Sequence, residues 1–206
     1  MSNNEYIWAH NKADNSFAYL SKSLEIILKN EVENNFNLLD IGCGNGFLTK
    51  DMSRYFKKVI GIDNSNSAIS QAKKNYSGNI NFINAKIENL ENYQPFNCIT
   101  LIEVIEHLYS PDDILQKIYQ IANNDTKIII STPFHGFIKN LLILISGKFD
   151  KHFTPLWEHG HIKFFSKNTL KQLIERNNFK IVKTYYSGRF YPISKSIISV
   201  LQKLPK

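Results

Sequence analysis

The run Leu38-Leu-Asp-Ile-Gly-Cys-Gly-Asn-Gly46 limits the fold of this chain more than any other feature. A short apolar strand ends in three glycines at alternate positions, and helical spacing begins at Phe47. Glycines at such a turn let the backbone approach a ligand, and the helix start beyond offers unpaired N–H groups. A helical stretch, Phe47 to Phe56, leads to a second strand, Lys58 to Asp63, which ends on an acid. Strand, crossover helix and strand in such close succession dictate a parallel pair.

The rhythm continues to Pro133. The spacing predicts a helix over Ser67–Tyr76, strands over Ile80–Ile83 and Phe96–Ile102, a helix over Pro111–Ala122 and a strand over Lys127–Ser131. Upstream, Ser16–Lys29 carries Phe17, Leu20, Leu24, Ile27 and Leu28 at helical spacing. After Pro133 comes an aromatic and basic segment with an amphipathic stretch, Phe137 to Ser146. A helix over Asn168–Asn177 and strands over Lys180–Tyr186 and Ser194–Leu201 complete the pattern. The expectation is α/β: a doubly wound, seven-stranded, mostly parallel sheet in one domain spanning 1–206. A helical cap over 1–30 and an insertion at 134–165, after the fifth strand, are expected over the pocket.

Composition excludes several classes. Two cysteines, Cys43 and Cys98, do not make a disulfide scaffold or a zinc ribbon. The longest apolar stretch, Leu141 to Ile145 with its flanks, falls far short of the ~20 residues of a membrane span. The start, Met1 to Tyr6, lacks a secretory pattern, so a cytoplasmic protein is expected. The net charge is +7, but Lys outnumbers Arg 22 to 3, which disfavours nucleic acid as a partner. Residues 1–133 carry 12 basic and 15 acidic side chains, whereas 134–206 carry 13 and 3. That asymmetry points one end of the molecule at something anionic.

No Gly-Lys-Ser/Thr follows the glycines, which excludes a P-loop, and Gly42-x-Gly44-x-Gly46 differs from the dinucleotide G-x-G-x-x-G. An acid placed like Asp63 can accept both hydroxyls of a ribose. Asp40, the glycine turn and Asp63 together resemble the class I S-adenosylmethionine (SAM)-dependent methyltransferases, and the likeness covers nearly the whole chain. The resemblance implies a Rossmann-like methyltransferase fold with SAM as cofactor. Gly42, Gly44 and Gly46 would then face the methionine part, with Asp40 and Cys43 in the same turn. Asp63 would hold the ribose, with Asn64 beside it. The loop after the third strand would hold the adenine through backbone groups around Lys86 and Ile87, because Lys86 stands where many relatives have an accepting Asp.

A second constellation, Leu101-Ile-Glu-Val-Ile-Glu-His-Leu108, lies at the end of the fourth strand. A helix there would put Glu103, Glu106 and His107 on one face. Two readings stay open: a metal site, or a metal-free site with His107 or His161 as general base. The E-x-x-E-H pattern resembles the small-RNA 3′-terminal 2′-O-methyltransferases and the ubiquinone-pathway O-methyltransferases. In the former the two Glu and the His bind a divalent metal with a second, later His. By that likeness His161, in Glu158-His-Gly-His-Ile-Lys-Phe-Phe-Ser166, supplies the fourth ligand, and the metal is Mg, Mn, Fe or Co.

The insertion reads as a lid over the acceptor, with His135, Trp157 and Lys163 as substrate residues. It also reads as an interfacial segment touching an anionic inner-membrane surface, as the ubiquinone-pathway resemblance implies. Its Pro-aromatic-His-Gly start and Trp-x-x-Gly-His-Ile-Lys-Phe run are similar to bacterial surface-polysaccharide methyltransferases. The expected chemistry is metal-assisted O-methylation of a hydroxyl on a sugar or glycan precursor, anionic or lipid-linked. The alternatives are a quinol or lipid-like acceptor, an RNA 3′-terminal ribose, and metal-free N- or C-methylation of a small molecule.

Overall fold

The computed structural model describes residues 15–32, 36–86, 96–158 and 160–205. Seven strands form one sheet: β1 (Phe36–Ile41), β2 (Phe56–Asp63), β3 (Ile80–Asn84), β4 (Phe96–Ile102), β5 (Ala122–Pro133), β6 (Phe179–Ser187) and β7 (Ser196–Lys203). Their order is β3-β2-β1-β4-β5-β7-β6. The first five run parallel, and β7 lies antiparallel to both β5 and β6. The strand order reverses between β1 and β4, where sheets of this kind bind ligands beyond their carboxyl ends.

Both faces of the sheet are apolar, which explains strands that read as continuous Leu, Val and Ile runs. Helices α1 (Asn15–Glu31) and α2 (Phe47–Met52) cover one face, where Leu20, Leu24, Ile27 and Leu28 meet Leu38, Val59, Ile129 and Ile198. Helices α4 (Pro111–Ile121) and α7 (Lys167–Arg176) belong to the opposite core with Leu39, Ile60, Ile128 and Ile130. Neighbours in sequence, such as Leu38 and Leu39, enter opposite cores, as the pleat requires. Arg176, at the end of α7, grips Asp112 in the first turn of α4 with two guanidinium nitrogens. Helix α3 (Asn66–Asn75) starts on Ser65, whose hydroxyl accepts from the Ala68 N–H at 3.2 Å.

Three boundaries differ from expectation. Helix α2 stops at Met52; a 3₁₀ turn over Ser53–Tyr55 follows, and β2 opens at Phe56. Strand β5 starts at Ala122, directly after α4, so the polar Asn123-Asn-Asp125 is strand and not loop. An irregularity in its pairing with β4 accommodates those residues, and the Thr126 hydroxyl stitches it by donating to Phe96 O at 2.8 Å. The last strand begins at Ser196, two residues later than the pattern places it. The insertion folds into two short helices, α5 (Phe137–Ile145) and α6 (Phe149–Phe153). No residue of either is buried. Of the cap expected over 1–30, the described part, α1, lays its leucines on the sheet, and Phe17, Tyr19 and Leu20 reach the cavity described next.

Candidate active site

A cavity of about 2420 Å³ opens at the carboxyl ends of β1, β2 and β4. A single small ligand occupies roughly 300–1,000 Å³, so this cavity has room for two. One half is the strand–turn–helix of β1 and α2. Its backbone is held in left-handed conformation at Gly42 (φ +73°), Gly44 (φ +54°) and Gly46 (φ +81°). Side chains are barred at two of these: a Cβ on Gly42 would lie 2.4 Å from Val104 Cγ2, and one on Gly46 would lie 2.6 Å from Phe82 Cζ. Gly46 packs against Phe82 beneath the turn, while Gly42 and Gly44 line the cavity.

Asp63 shapes this half directly. Its two oxygens accept from the backbone N–H of Gly44 (2.9 Å) and of Ser65 (2.8 Å), joining the glycine turn to the end of β2. Asp63 lines the cavity, where its carboxylate can also accept from a ligand hydroxyl. Asp40 is buried, and accepts from the hydroxyls of Thr49 (2.6 Å) and Thr100 (2.7 Å). Burial outweighs those bonds and pushes its carboxyl up to about 6. Cys43, Asn64 and Lys86 also line the cavity. Burial raises the Cys43 thiol far above its ordinary range, so it is an inert wall. Ile87 lies outside the described residues.

The E-x-x-E-H segment does not form the expected helical face. Glu103 follows β4 with φ +55°, and only Ile105–His107 makes a 3₁₀ turn. The left-handed residue breaks the helical spacing and turns Glu103 onto Ser131, whose hydroxyl donates to it at 2.7 Å. Burial raises Glu103 to about 7. The groups brought together are Glu106, His107 and His161, with ligand atoms all within 4.8 Å of one another. Glu106 Oε1 lies 4.0 Å from His107 Nε2 and 3.9 Å from His161 Nε2. The carboxylate is completely buried, and among the described residues neither oxygen has a partner at hydrogen-bond geometry, although the Thr132 hydroxyl lies near enough to favour its charged form slightly. Burial, then Glu103, raises it well above the carboxylate range.

Backbone contacts hold this cluster in shape. The Glu106 carbonyl accepts from the N–H of both Ile162 and Lys163 at 3.0 Å, and His107 Nδ1 lies 3.3 Å from Gly160 O. Trp157 sets its ring edgewise to both imidazoles, at 6.2 and 5.7 Å between centroids. Burial, then His107, lowers His161 to about 4, so it is neutral and its nitrogens can ligate.

The other half of the cavity is lined by His135, Trp157 and residues of the insertion, together with the β6–β7 loop. His135 is buried with Nδ1 unpartnered and stacks on Phe153. Lys163 is held through its backbone N–H, which donates to the Glu106 carbonyl, and its neighbours His161, Ile162 and Phe164 line the cavity. Lys139, His152, Arg189 and Lys195 also line it, and residue-by-residue reading missed all four. The charge excess of 134–206 was the one signal that could have found the cations among them.

The Methyltransferase domain family model matches residues 7–184. The chain is 28% identical over 150 residues to the mitochondrial ubiquinone biosynthesis O-methyltransferase of Schizosaccharomyces pombe, covering 70% of this chain and 55% of that protein. Its counterpart in Dictyostelium discoideum is 29% identical over 160 residues (70% and 50%), and that of Coxiella burnetii 27% over 150 (71% and 64%). The chain thus spans between half and two thirds of these relatives. None of the three is named for a glycan acceptor. Among solved structures, magnesium protoporphyrin IX methyltransferase of Synechocystis with bound SAH matches at TM-score 0.69, with 14% identity over 95% of this chain and 90% of that one. The SAH complex of N-methyltransferase NodS from Bradyrhizobium japonicum matches at 0.68, with 15% identity over 96% and 94%. With the turn, the acid and the sheet order on the same chain, the family follows: this chain belongs to the class I SAM-dependent methyltransferases.

Proposed function

We propose that the chain transfers a methyl group from SAM to one hydroxyl of a vicinal diol on a quinol-type, phenolic acceptor. The observation that carries this is the buried Glu106 carboxylate, without a partner at hydrogen-bond geometry among the described residues and faced by two imidazoles at the cavity. Carboxylate and imidazole are donors for a divalent cation, and an orphaned buried carboxylate fits one. Glu106, His107 and His161 would hold the ion, with Glu103 outside the ligand set. When bound there, a divalent ion supplies a Lewis acid that makes an acceptor hydroxyl easier to deprotonate. A proton on His107 Nδ1, shared with Gly160 O, leaves its Nε2 lone pair facing Glu106. The Asp63–Gly44 bond holds the cofactor turn, whose Gly42 packs on Val104 at the start of the 3₁₀ turn that carries Glu106. The names of the relatives support a quinol-type acceptor over the glycan expected at first.

The insertion supports a second element of this reading, contact with an anionic lipid surface. Helix α5 exposes Phe137, Leu144 and Ile145, and Leu156 is exposed further along the insertion. Among the described residues no helix is long and apolar enough to cross a membrane, so such contact would be peripheral.

The test is methyl transfer from labelled SAM to 4-methylcatechol, with product mass read by mass spectrometry, with and without chelator. A mono-methylated product that chelator abolishes and Mn or Co restores is expected. Transfer that persists in excess chelator removes the ion from the proposal; transfer to an amine and never to the diol removes the acceptor class.

A further inference from the structure

Lys139 at the start of α5, and Arg189 and Lys195 in the β6–β7 loop, line the acceptor half of the cavity from two separate segments. Two of the three are held by the fold. The Lys139 ammonium donates to Phe134 O (2.7 Å) and Lys195 O (3.2 Å), which fastens α5 to the start of β7. Lys195 is fixed at both ends. Its N–H donates to Ser187 O at 2.9 Å, its carbonyl accepts from Phe134 N at 2.9 Å, and its ammonium sits 4.8 Å from the Tyr19 ring centre. Its stem packs on Gly188 (φ +83°), where a Cβ would come within 2.8 Å of Lys195 Cβ and Cδ. Only glycine permits that approach, and the turn it makes sets Arg189 next in the chain.

Among the described residues no carboxylate forms a salt bridge with Lys139, Arg189 or Lys195. Burial, chiefly, with Arg189 and Lys195 adding to it, lowers Lys139 to about 8, and Glu103 alone pulls it upward. Glu103 already accepts from Ser131. Lys148 and Lys151 line the same cavity, so cations outnumber Glu103 on this wall. Such a wall attracts an anion, and a guanidinium fork beside ammonium groups suits a carboxylate or phosphate. We infer that the acceptor carries an oxyanion, which Lys139, Arg189 and Lys195 seat while its hydroxyl meets the Glu106–His107–His161 cluster. This rests on the methyl-transfer reading above and names the acceptor's chemical class.

The experiment is calorimetric titration of the SAH-loaded protein with three probes that share a vicinal diol: 3,4-dihydroxybenzoate, 3,4-dihydroxyphenylphosphonate and 4-methylcatechol. Both acids should bind about ten-fold tighter or better than the neutral probe, and the tighter acid tells carboxylate from phosphate. In the Arg189→Gln/Lys195→Gln double variant this advantage should nearly vanish while SAH affinity holds. Arg189→Gln alone, at an exposed position, should lose part of it and keeps the test open if the pair disturbs Tyr19. Acids that bind no tighter than 4-methylcatechol, or an advantage that survives both variants, overturn the inference. An equal loss of SAH affinity also overturns it, by assigning the cations to the cofactor's own carboxylate. Methylation of the probes is scored separately: its absence counts against the diol acceptor, while the binding differences still decide the oxyanion.

Discussion

His161 Nε2 stands 3.9 Å from Oε1 of Glu106, a buried carboxylate oxygen without a partner at hydrogen-bond geometry among the described residues. The two residues are 55 positions apart in the chain, and the Ile162 and Lys163 N–H bonds to the Glu106 carbonyl bring them together. A buried carboxylate in that position is held protonated by desolvation unless a cation compensates it.

Glu106→Gln follows from this relationship. The amide matches the protonated acid in shape, so in excess chelator the variant should melt within a degree or two of wild type. Addition of Mn or Co should raise the wild-type Tm and leave the variant unchanged. At a hundred times Kd the stabilisation is about 2.7 kcal/mol, several degrees for a domain of this size. Turnover of the variant should fall on the order of 100-fold with SAH affinity retained. Equal metal-induced shifts in both proteins would remove Glu106 from any ligand set.

Asp40 makes a prediction about pH. Burial raises its carboxyl to about 6, so the folded state binds this proton more tightly than the unfolded chain does. Its contribution to stability is complete below about pH 4 and is lost as pH rises through 6, roughly 3 kcal/mol in all. Urea unfolding of wild type and Asp40→Asn from pH 4 to 8 isolates it. The stability of wild type minus variant should decline between pH 4 and 6 and stay level above 7. A difference that grows with pH would mean that Thr49 and Thr100 stabilise the ionised form more than burial opposes it.

The parallel core was legible because its signals are local. Apolar runs such as Ile128 to Ile130, buried on both faces, can be read without knowing what packs against them. The Gly42–Gly46 turn was legible for the same reason, since left-handed backbone favours glycine. Glu103 was misplaced because it takes φ +55° without being glycine, so nothing in its residue type announced that the helical spacing fails there. The packing constraint on Gly46 was not legible, because it comes from the Phe82 ring, 36 residues away. The cation wall was visible as net charge but not as residues. Lys139, Arg189 and Lys195 meet only through the antiparallel β6–β7 pair, whose register no short motif encodes.

Asp63→Asn tests the cofactor half. The carboxylate accepts from Gly44 and Ser65 with separate oxygens, and an amide can accept from only one of them. One N–H then faces an NH₂ group, and the glycine turn shifts. SAH affinity measured by calorimetry should fall about 10- to 100-fold, the worth of a charge-assisted bond. Ser65→Ala removes the α3 cap and leaves its own N–H bond to Asp63 intact, so it should lower Tm with little change in SAH affinity. If both variants weaken SAH alike, Asp63 acts through the fold and not through the ligand.

The lipid contact of α5 is tested by flotation with vesicles. No residue of this helix is buried; Phe137 is 80% exposed and Ile145 75%. Apolar surface of that extent costs free energy in water that transfer to an acyl boundary recovers, about 1.5–3 kcal/mol for each large side chain fully transferred. The lysine excess of 134–206 adds attraction to anionic headgroups, and screening shortens its range from about 10 Å at 0.1 M salt to about 3 Å at 1 M. The chain should therefore float with phosphatidylglycerol-containing vesicles, less with pure phosphatidylcholine, and less again at high salt. Phe137→Glu/Ile145→Glu should reduce flotation about ten-fold or more, with Tm and SAH affinity unchanged because neither side chain enters the core. Flotation that ignores both vesicle charge and these substitutions would return α5 to the role of a lid over the acceptor half of the cavity.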